Sequence, residues 1–264
     1  MNRTIVWFRR DLRLTDHEPI YRAARRGEVI PVFVFDRALL HHPETGSARV
    51  AFMLDCLASL DSDLRDRGGR LILRAGDPAV ILPELIRETQ AEGIYAHTDC
   101  ERIYGRVRDA RLNQALAAQG LKIRWFDPPA SLSELVPYPR SRELWYAHMA
   151  ASQIPTPSRV AVPPEISSLD LPDLQALDHR PDGKTIPRGG TDAARQLLQQ
   201  FLEQKSDRYY WQLSYPSAEA TSGLSPHIKF GAISIRECIQ TIQQTPDKGA
   251  RRTGAGERCT LCAT

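Results

Sequence analysis

Thr221, Ser222 and Ser225 place three hydroxyl groups within five residues, with Gly223 between them. Pro226 follows where a first helical position would fall, so Ser225 is predicted to be an N-cap and a helix to start at Pro226. A helix N-terminus with free backbone N–H groups, a permissive glycine and extra hydroxyls is a natural seat for a phosphate. A capped helix that binds nothing fits the same residues, because Ser-Pro caps are common. What surrounds 221–234 decides between the two.

The elements that must position this stretch begin with the N-terminal half, where short apolar runs alternate with amphipathic segments. Residues 4–8, 29–35, 70–74, 94–97 and 121–126 are predicted strands, rich in β-branched and aromatic side chains. Helices are predicted over 18–26, 48–67, 79–92 and 102–119. In the second of these Val50, Met53, Leu54, Leu57, Leu60 and Leu64 recur at helical spacing. Gly68-Gly69 closes it, and Gly76-Asp77-Pro78 opens the next helix with a cap and a proline at the first position. Strands alternating with helices imply an α/β fold with a doubly wound, parallel, five-stranded, Rossmann-like sheet. Ligands in such sheets bind beyond the carboxyl ends of the strands. That rule gathers Arg9-Arg10-Asp11, Asp36 and Asp99 around one crevice. No G-x-G-x-x-G or Walker A sequence occurs, which excludes an ordinary dinucleotide or P-loop site.

From 128 to 187 the character changes: eleven of the nineteen prolines fall here. A helix near 142–151 carries Trp145, Tyr146 and Met149, and the rest reads as a connector packed across two domains. Beyond Gly189-Gly190 a helix is predicted over 191–205, with Leu197, Leu198, Phe201 and Leu202 on its buried stripe. An aromatic turn region with Tyr209, Tyr210, Trp211 and Tyr215 follows, then the hydroxyl stretch, then a helix over 234–244. Everything after the connector reads as all-helical.

Bulk composition narrows the function classes. The 264 residues are 42% hydrophobic and 25% charged, as in globular proteins. A net charge of +3 is too mild to argue for nucleic acid by itself, although residues 3–26 carry seven arginines against three acids. Five cysteines are too few and too scattered for a disulfide framework, and Cys56 and Cys100 are expected to be reduced. Cys259 and Cys262 form a lone C-x-x-C with no second pair or nearby histidine, short of a zinc site. The N-terminus lacks the pattern of a signal peptide, and no apolar run approaches the ~20 residues of a membrane span. The chain is therefore expected to be soluble, cytoplasmic and monomeric.

The most specific piece of the first half is Ile5-Val6-Trp7-Phe8-Arg9-Arg10-Asp11-Leu12-Arg13-Leu14-Thr15-Asp16-His17. A buried strand ends in clustered arginines with an acidic partner, followed by a predicted Thr15/Asp16 helix cap. For any single arginine, a strand end tied down by Arg–Asp pairs is the plain reading. Taken whole, the segment strongly resembles the opening signature of the DNA photolyase and cryptochrome family. The 221–234 stretch resembles that family's flavin-phosphate loop. Between them Gly46-Ser47-Ala48-Arg49, Gly76-Asp77-Pro78 and Tyr104-Gly105-Arg106-Val107-Arg108-Asp109 fit in the same order.

The resemblance implies a light-driven enzyme or photoreceptor that holds FAD in a helical domain and an antenna pigment in the α/β domain. In a photolyase of this kind, excited reduced flavin passes an electron to a cyclobutane pyrimidine dimer flipped from duplex DNA, a carbon–carbon lyase reaction. Weak stacking of the damaged pair lowers the cost of flipping. A cryptochrome-type blue-light receptor, or an antenna-binding domain without catalysis, is the alternative. Carried over by residue, Thr221, Ser222, Gly223, Leu224 and Ser225 match contacts to the flavin diphosphate, with Tyr209, or Tyr210 one register along, lining the same pocket. Arg49, Asp99, Glu101 and Lys229 occupy positions similar to those that hold a deazaflavin antenna; a folate or a second flavin is also compatible. Arg49 also fits a surface helix position, and Lys229 a solvated lysine. No catalytic side chain and no metal ligand is assigned.

The resemblance covers residues 1–246 and divides the chain into an antenna domain (1–128), a connector (129–189) and the beginning of an FAD domain (190–246). The family's helical domain continues further, with the adenine and isoalloxazine contacts, the tryptophan relay and the DNA groove. The tail 247–264 has no apolar stripe and resembles nothing in the family; its form suggests a frameshifted, prematurely terminated reading frame or a gene fragment. A flavin needs a cavity closed on several sides, so the chain is expected to retain little or no FAD on purification.

Overall fold

The fold was described from a computed structural model that covers residues 2–99, 103–127 and 138–245. Strands β1 (Arg3–Phe8), β2 (Glu28–Phe35), β3 (Ile72–Ala75), β4 (Gly93–His97) and β5 (Ile123–Phe126) form one sheet in the order β3-β2-β1-β4-β5. All pairings are parallel. The order reverses between β1 and β4, which is where the chain ends diverge to open a crevice.

The central strand shows why continuous apolar runs were legible as strands. Ile5 and Trp7 enter the core on one face, while Val6 and Phe8 enter the other. Parallel strands covered on both sides read as unbroken hydrophobic sequence. Helices α1 (Glu18–Ala24) and α3 (Ser47–Arg65) cover the Val6/Phe8 face, with Leu57, Leu60 and Leu64 fully buried. Burying each contributes about 2 kcal/mol. The short α2 (Arg37–Leu40) leads into α3, and Asp36 caps it by accepting from the Ala38 N–H at 3.1 Å. On the other face lie α4 (Pro78–Thr89) and α5 (Ile103–Ala117), which contribute Leu82, Leu85, Ile86, Leu112 and Leu116. The predicted Gly-Asp-Pro start holds: Asp77 caps α4 through the Ala79 N–H at 2.9 Å.

After α6 (Tyr138–Ala150) the connector packs back onto the α/β layers instead of leaving them. Val160 donates to Arg67, Ala161 accepts from Val29, and Leu169 donates to Leu73. Gly69 permits this: a Cβ there would stand 2.9 Å from the Val160 carbonyl oxygen. The remaining elements are helices α7 (Thr191–Gln204), α8 (Ser206–Gln212), α9 (Ser225–Lys229) and α10 (Ile235–Gln244). They share a small core of Ala194, Leu198, Phe201, Leu202, Leu224, Ile233 and Cys238.

Three local expectations are corrected. Residues 209–212 are not a turn but the body of α8, which restarts one residue after α7 ends. Ser225 is not an N-cap: Leu224 is, in helical conformation at φ −75°, and no side chain caps α9. Asp16 does not cap α1; His17 does, its Nδ1 accepting from the Ile20 N–H at 3.2 Å. Among the described residues Cys56 and Cys238 are buried free thiols, both pushed up to about 12 by burial. Cys100, Cys259 and Cys262 lie outside the described residues. No described helix is long and apolar enough to cross a membrane.

Candidate functional site

The loop that follows β1 turns two ways. Toward the crevice, Arg9 lies over the Trp7 ring at 4.4 Å and the Trp125 ring at 5.3 Å. Its guanidinium donates to Asp109 Oδ2 at 2.9 Å and to the carbonyl oxygen of His97 at the end of β4. Arg108, one turn into α5, donates to Asp99 at 3.0 Å and to Asp109 at 2.9 Å, and stands over the Trp7 ring at 4.9 Å. Tyr104 donates to Asp36 Oδ2 at 2.5 Å; burial and the Asp36 carboxylate push the phenol above its ordinary value. Gly105 is required here, because a Cβ would meet Asp99 Oδ2 at 2.7 Å. Arg9, Asp36 and Asp99 therefore do share one crevice, linked through Tyr104, Arg108 and Asp109. The result is a largely buried network of rings and charges held in place by one another.

Asp11 faces the interior instead. Its Oδ1 accepts from the Arg9 N–H at 2.8 Å, and its Oδ2 accepts from His17 Nε2 at 2.9 Å and His97 Nδ1 at 2.7 Å. The Ile20 bond to His17 Nδ1 fixes which nitrogen of His17 carries the proton. Burial opposes ionisation of Asp11, yet the charge and hydrogen bonds of the two imidazoles hold its carboxyl well below the ordinary range. Burial lowers His17 to about 4. These three side chains are close enough to one another to ligate a metal ion. Their facing atoms are already paired as donor and acceptor, however, and Arg9 approaches the same carboxylate, so a divalent cation finds no spare negative charge.

The same loop carries a joint to the helical region. Leu12 donates to the Phe230 carbonyl at 3.1 Å. Arg13, only 5% exposed, donates to the carbonyl oxygens of Thr15, Asp16 and Gly231 at 3.0, 2.9 and 3.1 Å. Asp16, fully buried at φ +53°, accepts from Arg236 Nη1 at 2.7 Å and from the Ile154 N–H at 3.1 Å. Asp is among the few residue types that adopt this left-handed conformation readily. Arg195 of α7 ties Glu237 to Thr15 at 2.6 and 3.2 Å. Gly231, at φ +65°, sits so close to the backbone of Arg10 and Asp11 that a Cβ would come within 2.6 Å of Asp11 Cα.

That joint presents the hydroxyl stretch. Thr221 and Ser225 are exposed, and the Thr221 carbonyl accepts from Lys205 Nζ at 3.4 Å. Ser222 Oγ accepts from the Leu224 N–H at 3.4 Å. Gly223 adopts φ +70° with open space where a Cβ would be. Leu224 anchors the stretch in the helical core, where Tyr209 packs edge-on against Phe201 with ring centres 5.5 Å apart. Tyr210 is 61% exposed. Of the two candidate tyrosines, Tyr209 is thus the one that shares a core with 221–225.

The predicted antenna residues are spread more widely. Arg49, in the first turn of α3, is exposed and donates to the Glu44 carbonyl at 2.9 Å. Lys229 ends α9, which meets α3 where Phe52 contacts the rings of His227 and Phe230 at 4.9 and 5.6 Å. Asp99 is turned to Arg108, and Glu101 lies outside the described residues. His17 ends the signature segment without an assigned role there, and His97, Arg236 and Glu237 carry no signal in the sequence, because only the tertiary fold brings them to the loop.

Comparison with known proteins fits this geometry. The DNA photolyase family model matches residues 4–130. A deoxyribodipyrimidine photo-lyase of Synechococcus is 33% identical over 255 residues, 88% of this chain and 52% of the relative. An uncharacterized 31.6 kDa protein of a second Synechococcus strain is 34% identical over 248 residues, 88% of this chain and 86% of that protein. The chain belongs to the DNA photolyase and cryptochrome family. Among solved structures, a class III photolyase from Agrobacterium tumefaciens superposes with a TM-score of 0.76 at 28% identity, covering 97% of this chain and 55% of its own. The chain spans about half the length of the curated photolyases it matches. Photolyases of this family generally bind FAD and an antenna chromophore and act on damaged DNA. The loop after β1, the crevice and the hydroxyl stretch are where this photolyase-type chain concentrates its polar chemistry.

Proposed function

We propose that this chain carries the antenna domain (1–128), connector (129–189) and diphosphate-binding edge (190–246) of a deoxyribodipyrimidine photolyase. The observation that supports this best is the presentation of 221–225. A buried joint fixes the segment from Phe230 to Glu237, while Thr221, Gly223 and Ser225 just before it stay open. The residues fit a diphosphate: two exposed hydroxyls, an uncapped helix start and a glycine that lets a ligand approach the backbone. Tyr209 and Leu224 give the edge an apolar backing. When bound and reduced, FAD supplies the electron that splits the pyrimidine dimer of damaged duplex DNA. The chain's own part is to orient the diphosphate and hold the antenna domain at a fixed angle to it.

The crevice supports an antenna role in its own right. Half-buried Tyr104, with the Arg9 guanidinium and the Asp36 and Asp99 carboxylates behind it, offers ring and polar groups to a heterocycle such as a deazaflavin, a folate or a second flavin. Arg49, Lys229 and Glu101 are proposed as further contacts. The test is the absorption spectrum of the purified protein before and after addition of FAD, followed by dimer repair under blue light. Little flavin is expected as purified, with saturable binding on addition. Repair that requires added FAD supports the photolyase. An antenna band with no flavin binding and no repair leaves a bare antenna domain, and a plain protein spectrum that added FAD does not change contradicts both readings.

A further inference from the structure

A hollow lies on the α1 face of the sheet, beside the body of β4 and not at the strand ends. Arg22, Arg25 and Arg26 at the end of α1, Tyr95 of β4 and Arg124 of β5 line a cavity of about 370 Å³. Tyr95 and Arg124 are direct partners in the β4–β5 register. Arg124 lies over the Tyr95 and Phe126 rings at 5.8 and 4.9 Å, so its guanidinium stands above an aromatic floor. Arg22 pairs with Glu18 at 2.9 Å and Arg26 with Glu92 at 3.3 Å, both half-exposed pairs that contribute little. Arg25 donates to the neutral Tyr21 hydroxyl at 3.4 Å. Four guanidinium groups thus face one hollow with two carboxylates nearby.

Helix-end electrostatics accounts for cations at the end of α1. It does not account for Arg124, which comes from the edge strand on the far side of the hollow. Like charges converging on a concavity repel, and a bound anion relieves them. The arginines converge from a helix end and a strand on one small hollow; they do not follow a ridge, and the floor is aromatic. That shape suits a compact ligand better than an extended polymer backbone.

We propose that this hollow binds a compact phosphate-bearing anion of nucleotide size. Arg22, Arg25 and Arg26 hold the phosphoryl oxygens through paired N–H donors, and the Arg124–Tyr95 stack offers a flat face to a ring. The site is separate from both the crevice and the 221–225 edge.

Calorimetric titration with inorganic pyrophosphate, with ADP and with a single-stranded oligonucleotide tests it. Pyrophosphate and ADP are expected to bind saturably, ADP more tightly. The Arg25→Gln/Arg124→Gln double variant should weaken both by at least about tenfold, at an unchanged unfolding midpoint. Arg65→Gln, on the exposed side of α3, should change neither. Thr221→Ala/Ser225→Ala should also leave pyrophosphate binding at the hollow intact. Non-saturable binding overturns the proposal, as does binding that survives the arginine pair. ADP binding lost only in the Thr221/Ser225 variant assigns it to the loop and overturns the proposal. Oligonucleotide binding that alone depends on Arg25 and Arg124 makes the hollow a nucleic-acid contact and overturns it equally.

Discussion

The two ends of one short segment are built on opposite principles. From Phe230 to Glu237 the chain is clamped to the loop after β1 by buried charges and carbonyl bonds across more than two hundred residues of sequence. From Thr221 to Ser225, a few residues earlier, hydroxyls stand in solvent and one glycine faces open space. Beside them Tyr210, Trp211 and Tyr215 are 61%, 73% and 65% exposed. Charge inside the molecule fixes geometry, and neutral polar groups outside are left open to solvent. The arginine-rich loop that attracts attention as a ligand site is in large part a hinge pin. The proposed ligand edge is the quieter stretch that the pin holds in place.

Breaking the pin should have the largest effect. Arg236→Met leaves the fully buried Asp16 carboxylate without its cation, and removing one partner of a buried pair costs about 3–5 kcal/mol. Urea denaturation should show that loss, while the same substitution at exposed Arg208 should cost less than ~0.5 kcal/mol. Gly231→Ala comes next. Its Cβ would press on the Arg10–Asp11 backbone at a positive φ, so about 2 kcal/mol is expected. Limited proteolysis should then cut between α8 and α10 sooner than in the wild type.

Acid should loosen the same loop. His17 titrates at about 4 in the fold and near 6.5 when unfolded. Between those values the unfolded chain binds the extra proton, so stability is complete above pH 6.5 and falls as pH drops toward 4. The full loss is at most about 3 kcal/mol. His17→Asn, which keeps a capping acceptor, should flatten that part of the pH–stability curve; an unchanged slope would mean the imidazole is not the group responsible. A smaller effect is expected in the crevice. Tyr104→Phe removes the bond to Asp36 and should cost about 1 kcal/mol in thermal unfolding, with antenna binding weakened more than stability.

How much of this was legible in the sequence follows from distance along the chain. β1, β2 and β4 are legible because burial on both faces makes them nearly uninterrupted apolar runs, while the edge strands β3 and β5 show through their β-branched and aromatic residues alone. β3 was placed two residues early, since Arg70 and Leu71 share its pattern but not its ladder. α8 is not legible because Tyr, Tyr and Trp are weak helix formers; in the fold Tyr209 packs on Phe201 of α7. The cap at Ser225 failed because Leu224 is already in helical conformation. Asp11, His17 and His97 could not have been grouped: His97 arrives from β4, 86 residues away. The arginine excess of 3–26 was visible in the sequence. Its division into a pin (Arg13), a crevice wall (Arg9) and a separate basic hollow (Arg22, Arg25, Arg26) was not.

The account rests on 221–225 being a flavin-diphosphate edge that the joint holds in place. Titration of FAD into the wild type and the Thr221→Ala/Ser225→Ala variant, followed by flavin fluorescence, tests this directly. Both hydroxyls are exposed, so unfolding midpoints should match within about 0.5 kcal/mol. Saturable binding weakened at least about tenfold by the two substitutions is the predicted result. Binding that is absent from the wild type, or indifferent to both hydroxyls, contradicts it.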